Sequence, residues 1–403
     1  MLKIQSVSRM EYAAMLKEED ARYFLNQDPR FGEMKESEGQ KVLYLLFQED
    51  ERTVGFALVA YYSYKRVLLT ARCTYGPVLL EDISPSSYET FMTLLRKEVF
   101  YSPRVRMFRL QPFLPDNRYE DVTTVEENVS AEYAAVLERI GYQRVMEDPY
   151  VNTSYPPNFV YTKNIEGLDE AEVLEAITPA LRYRMRKAER DGIRVHMLTG
   201  SDIEEYIRLE QELAGTRAYT GIPDAAFYHD LQKFMGKDVY FPAAYIDCEK
   251  TLQCFGEQLA ELDAERAELD ARYADKPQAK KYKNSVRALE EIRQRIEKNI
   301  GRVQNLSEEK GNIINVYYGC FVRIGRDMIC LTLAGRKEYG FLDGGSAIHE
   351  HMLGESARRK VTYYNLYGCS GRTDKEAMDF GVLKYKRSFD GRFEDVLGSY
   401  EIK

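Results

Sequence analysis

The chain has no tryptophan and only four histidines. Four scattered histidines give no basis for a Ser-His-Asp relay. His349-Glu350-His351 is too tightly spaced for a metal site, because residues two apart on a helix point to different sides. His196 and His229 stand alone, so no metal is expected. The six cysteines, Cys73, Cys248, Cys254, Cys320, Cys330 and Cys369, include no CxxC pair. The start, Met1-Leu2-Lys3-Ile4-Gln5-Ser6, lacks the apolar core of a secretory signal. Together these favour a reduced, cytoplasmic chain. No run approaches the roughly 18 apolar residues of a membrane span, although surface contact with a membrane stays open. A GxxxxGK[ST] loop is missing, which argues against ATP hydrolysis. The acetyltransferase pyrophosphate loop, a basic residue followed by GxG/A at a helix start, is missing too. Arg336-Lys337-Glu338-Tyr339-Gly340 matches it poorly.

What is present is globular. Over 403 residues, 30% are charged and 44% apolar, which suits two or three domains with cores of their own. A net charge of −8 argues against indiscriminate coating of nucleic acid but leaves room for local basic patches. Tyrosine is abundant at 31 residues, offering rings with polar tips for a mixed surface.

The most regular stretch runs from about Cys248 to Lys310. Leu252, Phe255, Leu259, Leu262, Arg266, Leu269 and Tyr273 recur at alternating steps of three and four, a heptad seam. Asp275-Lys276-Pro277 interrupts it, since proline donates no amide hydrogen bond. A second seam follows from Tyr282 through Val286, Leu289, Ile292, Ile296 and Ile300 to Leu306. Two arms around one break predict an antiparallel helical hairpin over 248–311. Glu249–Asp275 holds eight acidic and three basic residues, and Lys276–Lys310 five acidic and ten basic. Arms of net −5 and +5 would attract each other and set the register. A spacer or dimer contact and a grip on a long substrate are both compatible with such a hairpin.

Before it, residues 1–150 read as α+β: strands at Lys41–Phe47, Val54–Tyr62, Val67–Cys73 and Met107–Gln111, with helices at Ser86–Glu98 and Val125–Ile140. After a linker at Thr153–Pro157 the order begins again. A strand covers Asn158–Lys163, and Thr178-Pro179 opens a helix with an N-cap and a first-turn proline. Arg182, Arg186 and Arg190 share one face of that helix, either a solvated face or a phosphate-facing ribbon. Strands at Val239–Ile246, Ile313–Arg323, Asp327–Leu333 and Thr362–Leu366 complete a second α/β unit, 151–247 plus 312–403. The repeat suggests an internal duplication, with the hairpin inserted in the second copy. Lys35, Arg217 and Lys386 stand out as lone cations near strand ends and turns.

Several segments, taken in order, resemble one family. Phe24-Leu25-Asn26-Gln27 with Lys35 is similar to an N-terminal Q…K element, and Tyr75-Gly76-Pro77 to an Arg/Tyr-Gly-Pro turn. Arg182–Ile193 resembles R-x-x-I-R-K-A-x-x-x-G-[IV], and Thr216-Arg217 stands in place of a T-x-x-R element. Tyr364–Gly371 resembles YxxxGxxG, and Gly381–Gly391 resembles G-x-x-x-F-K-x-x-F-G-G. These are motifs of the Fem-type (FemABX/MurM-like) aminoacyltransferases that build peptidoglycan interpeptide bridges. The resemblance covers nearly the whole chain. It implies two tandem acetyltransferase-like (GNAT) domains, with a coiled-coil hairpin in the second. It also implies transfer of an amino acid from aminoacyl-tRNA to the stem-peptide amine of a lipid-linked (lipid II) or nucleotide-linked murein precursor; the chain is expected in the cytoplasm, with the inner face of the plasma membrane left open. By that resemblance Lys35 and Arg217 bind the acceptor's phosphates and Lys386 lies near the acyl group, while Tyr219 and Asp343 are further substrate-binding candidates. The sequence departs at Gln111-Pro112, where the family has Asp-Pro, at Phe341–Ser346, and at His349 or His351, where the family has tryptophan.

The chemistry suits these residues. An aminoacyl ester is already activated, so no cofactor is expected beyond aminoacyl-tRNA as co-substrate. Lys386 would stabilise the oxyanion. A substrate phosphate or carboxylate, or Asp343, would accept the amine proton. Contact with tRNA is expected along Arg182, Arg186 and Arg190 and along Lys280, Lys281, Lys283 and Arg287 of the second arm. Two other readings share the same features: an acyl-CoA N-acyltransferase, and a non-catalytic RNA-binding scaffold.

Overall fold

The computed structural model describes residues 1–65, 67–214 and 223–403. Strand β1 (Leu2–Val7) leads into α1 (Arg9–Glu18), whose Ser8 and Glu11 form a reciprocal capping box. Helix α2 (Pro29–Ser37) is capped by Asp28 and opens on a proline, whose fixed φ suits a first turn. Strands β2 (Val42–Glu49), β3 (Arg52–Tyr64) and β4 (Leu68–Cys73) form an antiparallel meander, with β5 (Val78–Leu79) paired to β3. Helix α3 (Pro85–Val99) crosses over to β6 (Val105–Leu110), which runs parallel to β4. A small hairpin, β7 (Arg118–Glu120) with β8 (Thr123–Glu126), precedes α4 (Ala131–Arg139) and β9 (Gln143–Arg144).

The second unit begins with β10 (Phe159–Asn164), α5 (Glu170–Glu175) and α6 (Pro179–Arg190). It continues through β11 (Arg194–Met197), α7 (Ile203–Ala214), α8 (Ala225–Met235), β12 (Val239–Tyr240) and β13 (Pro242–Asp247). The long helices α9 (Cys248–Arg272) and α10 (Lys280–Lys310) follow, then β14 (Ile313–Ile324) and β15 (Asp327–Gly335). The chain closes with α11 (Gly344–Arg358), β16 (Tyr363–Cys369), α12 (Phe380–Arg387), β17 (Arg392–Asp395) and β18 (Tyr400–Ile402).

Two sheets result, ordered β1-β2-β3-β4-β6-β18-β9 and β11-β13-β14-β15-β16-β10-β17. Position for position they have the same logic: an antiparallel meander, one parallel step (β4/β6 and β15/β16), then two antiparallel neighbours. The duplication expected from the sequence is therefore present in the topology. The sixth position differs in origin. In the second sheet it is filled by β10, from the start of that unit, and in the first by β18, from the far end of the chain. The sequence reading placed 312–403 wholly in the second unit; the last strand instead pairs with Phe108–Leu110 of β6. An apolar cluster spans both units, joining Tyr12, Phe56 and Tyr75 to Tyr206, Tyr228 and Ile324.

The helix expected over Val125–Ile140 is shorter. Thr123–Glu126 forms a strand, as its β-branched Thr123, Thr124 and Val125 favour. Asn128 turns the chain at φ 54°, and the helix starts at Ala131. The hairpin matches its expectation more closely. It replaces the turn between the paired strands β13 and β14, so Asp247 and Ile313 still face each other and the sheet is undisturbed. Its root is buried at Phe255, Gln258, Ile296, Asn299 and Val303. Charge attraction between the arms is realised sparingly. Arg293 reaches across to Asp263, whereas Arg266–Asp270 and Arg287–Glu291 pair within one arm. Among the described residues no helix is long and apolar enough to cross a membrane.

Candidate active site

The site follows from where one ladder stops. Strands β15 and β16 pair in parallel at Asp327↔Tyr363, Met328↔Tyr364 and Ile329↔Asn365, and no further. Beyond that they part, and the wedge opens a cleft of about 460 Å³. Cys330, Leu331, Thr332 and Leu333 line it from β15, and Leu366, Tyr367 and Gly368 from β16. The first unit contributes Leu25, Asn26 and Phe31, and α8 contributes Phe227 and Tyr228. Ligand clefts of this kind are commonly apolar-walled with a few converging polar groups.

Lys386, on the last turn of α12, is buried at the base of this cleft. Its Nζ donates to the carbonyls of Gly368 at 2.6 Å and Tyr367 at 3.1 Å. An ammonium has three N–H donors, so two carbonyls leave one for a ligand. Burial lowers the Lys386 pKa, and Cys369, Cys330 and Asp379 oppose that shift. Asp379 is itself held by the Ser370 amide at 2.8 Å and hydroxyl at 2.6 Å, which fixes the turn that carries the two carbonyls.

His349 lines the same cleft from α11. Its Nδ1 shares a hydrogen bond with the Tyr364 hydroxyl at 2.7 Å, and its ring stands edge-on to Phe389 at 4.8 Å. Burial, then the charges of Lys386 and Arg184, hold its pKa down at about 3, so it is a neutral imidazole. Burial pushes the Cys330 thiol up to about 12 and Cys369 up to about 11. Neither is a thiolate at neutral pH, which removes a cysteine nucleophile from consideration.

The structure brings some of the expected residues here and leaves others elsewhere. Lys35 is not among the lining residues: its Nζ is 5.2 Å from the ring centroid of Phe31, its neighbour one turn back on α2 and a lining residue, and 2.6 Å from Glu38. Arg217 and Tyr219 fall outside the described residues. Asp343 is not among the lining residues. It stands at the N-cap of α11 at φ 56° and accepts from Arg184 Nε at 3.1 Å and from the Ser346 hydroxyl. Tyr385, whose ring centroid is 5.1 Å from the Arg184 guanidinium, belongs to the lining instead.

Of the α6 arginines, Arg182 and Arg186 both face Glu175 of α5, and Arg190 is exposed. The opposite face of α6, Leu181, Met185 and Ala188, is buried. Lys280, Lys281, Lys283 and Arg287 are exposed at the hairpin tip, on the first turns of α10. That helix start has no acidic residue and no side-chain cap. Cations there oppose the helix dipole, a cost that folding alone does not explain. His349, Tyr364, Tyr385, Ser370 and Asp379 were not singled out as site residues by sequence reasoning. The signal was present in part, since Tyr364 and Ser370 lie in the YxxxGxxG-like turn and Tyr385 in the closing motif. Among the described residues no group of three or more His, Cys, Asp or Glu could hold a metal ion.

The FemAB family model matches residues 7–403, nearly the entire chain. The chain belongs to the FemAB family. Aminoacyltransferase FemA of Staphylococcus epidermidis is 22% identical over 304 residues, covering 72% of this chain and 70% of FemA. Aminoacyltransferase FemB of the same species is 21% identical over 372 residues, covering 91% and 87%. The crystal structure of FemX superposes with a TM-score of 0.71 at 15% identity, over 99% of this chain and 96% of FemX. This FemAB member is thus a mixed α/β protein of two tandem units of like topology carrying an antiparallel hairpin, and an aminoacyltransferase.

Proposed function

We propose that the protein moves an amino acid from aminoacyl-tRNA to the stem-peptide amine of a lipid-linked murein precursor of the lipid II type, extending a peptidoglycan interpeptide bridge. The observation that carries this reading is the wedge between β15 and β16, with the Lys386 ammonium clamped at its base and one N–H to spare. The acceptor amine attacks the ester carbonyl carbon, and negative charge develops on the carbonyl oxygen. Lys386 donates its remaining proton contact to that oxygen. As the tetrahedral species collapses, the bond to the ribose oxygen breaks and that oxygen takes up the proton the amine has lost. A phosphate or carboxylate of the substrates relays this proton, because His349 is held neutral by its surroundings and Asp343 is engaged by Arg184. Holding amine and ester together accounts for about 7–11 kcal/mol of barrier lowering in well-oriented systems, so no cofactor is required.

Lys35 serves the acceptor's pyrophosphate, exchanging Glu38 for phosphate. Arg217 and Tyr219 share that task. The hairpin tip, with Lys280, Lys281, Lys283 and Arg287, and the exposed side of α6, with Arg182, Arg186 and Arg190, meet the tRNA backbone. Reaction at a lipid-linked acceptor places the enzyme in the cytoplasm at the inner membrane face. The test offers the protein charged tRNA and acetyl-CoA in turn, with one murein precursor as acceptor. Transfer from charged tRNA alone is expected, and transfer from acetyl-CoA alone would overturn the reading.

A further inference from the structure

The first unit carries a second surface, at the end of β4 and β6 away from the cleft. The cleft end is marked by Gln27, which bonds Thr74 just past β4, and by Tyr75, which bonds the Pro157 carbonyl. At the other end, Tyr64 and Val67 flank the β3–β4 turn, 44% and 63% exposed, and Tyr101 follows α3 at 50%. Arg104 ties these loops together. Its Nε donates to the Val67 carbonyl at 2.8 Å, and its own carbonyl accepts from Leu69 N at 2.8 Å.

Cations surround the three apolar tips. Lys41, Lys65, Arg104 and Arg106 are exposed there. Lys97, Arg106 and Lys403 line an adjoining open groove of about 740 Å³ with Arg96. Among the described residues these cations meet rings and carbonyls: Lys41 over Tyr101 at 3.3 Å, Lys65 over Tyr64 at 5.2 Å, Arg96 on the Ile140 carbonyl at 3.4 Å. Within 64–67 and 96–106 the one acidic residue is Glu98, while Glu38 and Glu401, near Lys41 and Lys403 in the chain, pair with Lys35 and Arg109. A local excess of cations on a chain of net charge −8 is a marked asymmetry.

We propose that this face docks the protein on an anionic lipid bilayer. Cations meet lipid phosphates, and Tyr64, Val67 and Tyr101 enter the boundary between head groups and acyl chains, the level that amphipathic rings prefer. An RNA backbone would engage the cations and leave the aliphatic Val67 facing water, so the apolar tips favour lipid. Strands β4 and β6 then hold the cleft on the order of 20 Å above the surface, at about 3.3 Å per residue. The docking face is independent of the acyl-transfer chemistry and is read without any substrate.

The full-length protein is sedimented with vesicles of phosphatidylcholine alone and of phosphatidylcholine with an equal share of phosphatidylglycerol. Binding is expected to the second only, and to weaken with salt. The double variants Tyr64→Ser/Val67→Ser and Lys97→Glu/Arg106→Glu alter exposed side chains, and each should weaken that binding. The loss expected is roughly fivefold for each cation removed. Equal binding to both vesicles, or variants that bind as the parent does, would overturn the proposal. So would variants that lose affinity for uncharged tRNA while still binding vesicles, since that would make this an RNA face. Transfer to a water-soluble murein peptide should be unchanged in both variants. Its absence in the parent too would count against the proposed function and leave the vesicle result standing.

Discussion

The two units share a topology and differ at one junction, the parallel step. In the first unit β4 and β6 stay paired from Leu69↔Val105 to Cys73↔Leu110, and a bridge between Gly76 and Gln111 continues beyond the strands. Gln27 braces that end: its amide donates to the Thr74 and Leu58 carbonyls, and its oxygen accepts from Leu58 N at 2.7 Å. In the second unit pairing stops at Ile329↔Asn365, and Lys386 takes the Tyr367 and Gly368 carbonyls. Backbone groups next to an opening need partners, because an unpaired buried carbonyl costs about as much as a lost hydrogen bond. One copy meets this with a neutral amide and closes. The other meets it with a cation and leaves an open cleft. Duplication thus yields one closed and one open junction from a single fold.

The closed end of the second wedge can be broken. Asp327, fully buried at the first rung, is held by Arg22 at 2.9 Å and by Asn365 at 3.0 Å. Arg22→Ala strands that carboxylate and should destabilise the protein by about 3–5 kcal/mol in urea unfolding. Adding Asp327→Asn should restore part of the loss. In the first unit, Gln27→Ala should cost about 1–3 kcal/mol, because buried partners are left unpaired. Per unit of protein that remains folded, transfer should be retained; its abolition would show that the closed wedge takes part in the chemistry.

His349, on the open side only, makes stability depend on pH. Its folded pKa of about 3 lies below the ordinary 6.5, so the unfolded chain binds a proton that the native state refuses. Stability should therefore fall as pH drops from about 6.5 toward 3, by about 1.4 kcal/mol per unit at most from this group. His349→Gln should flatten that slope in thermal melts. The smallest effects belong to the hairpin. Removing Lys280, Lys281 and Lys283 together should lower tRNA affinity and reduce its salt slope by less than about one per lysine, with no change in melting.

What the sequence disclosed followed local rules. Leucines at heptad spacing gave the hairpin, Thr178-Pro179 gave the start of α6, and the four-residue spacing of its arginines gave a common face. What it concealed depended on partners distant in the chain. Nothing within Asp327–Gly335 or Tyr363–Cys369 states where their ladder ends, so the wedge was not visible. Asp343 read as free for substrate until Arg184, 159 positions earlier, was seen to hold it. The strand 400–402 is too short to announce that it crosses to the first sheet. His349 stands in the sequence as a rejected metal ligand and a departure from a family tryptophan, and its place as a neutral wall of the cleft emerges from burial.

We propose that acyl transfer takes place in the open wedge, with Lys386 as the oxyanion donor. Single-turnover transfer from charged tRNA, compared between the parent and Lys386→Ala with tRNA affinity measured alongside, tests it most directly. A rate loss of about 10²–10³-fold, the usual effect of losing one oxyanion donor, is expected at unchanged tRNA affinity. Transfer at the parental rate in Lys386→Ala would contradict it.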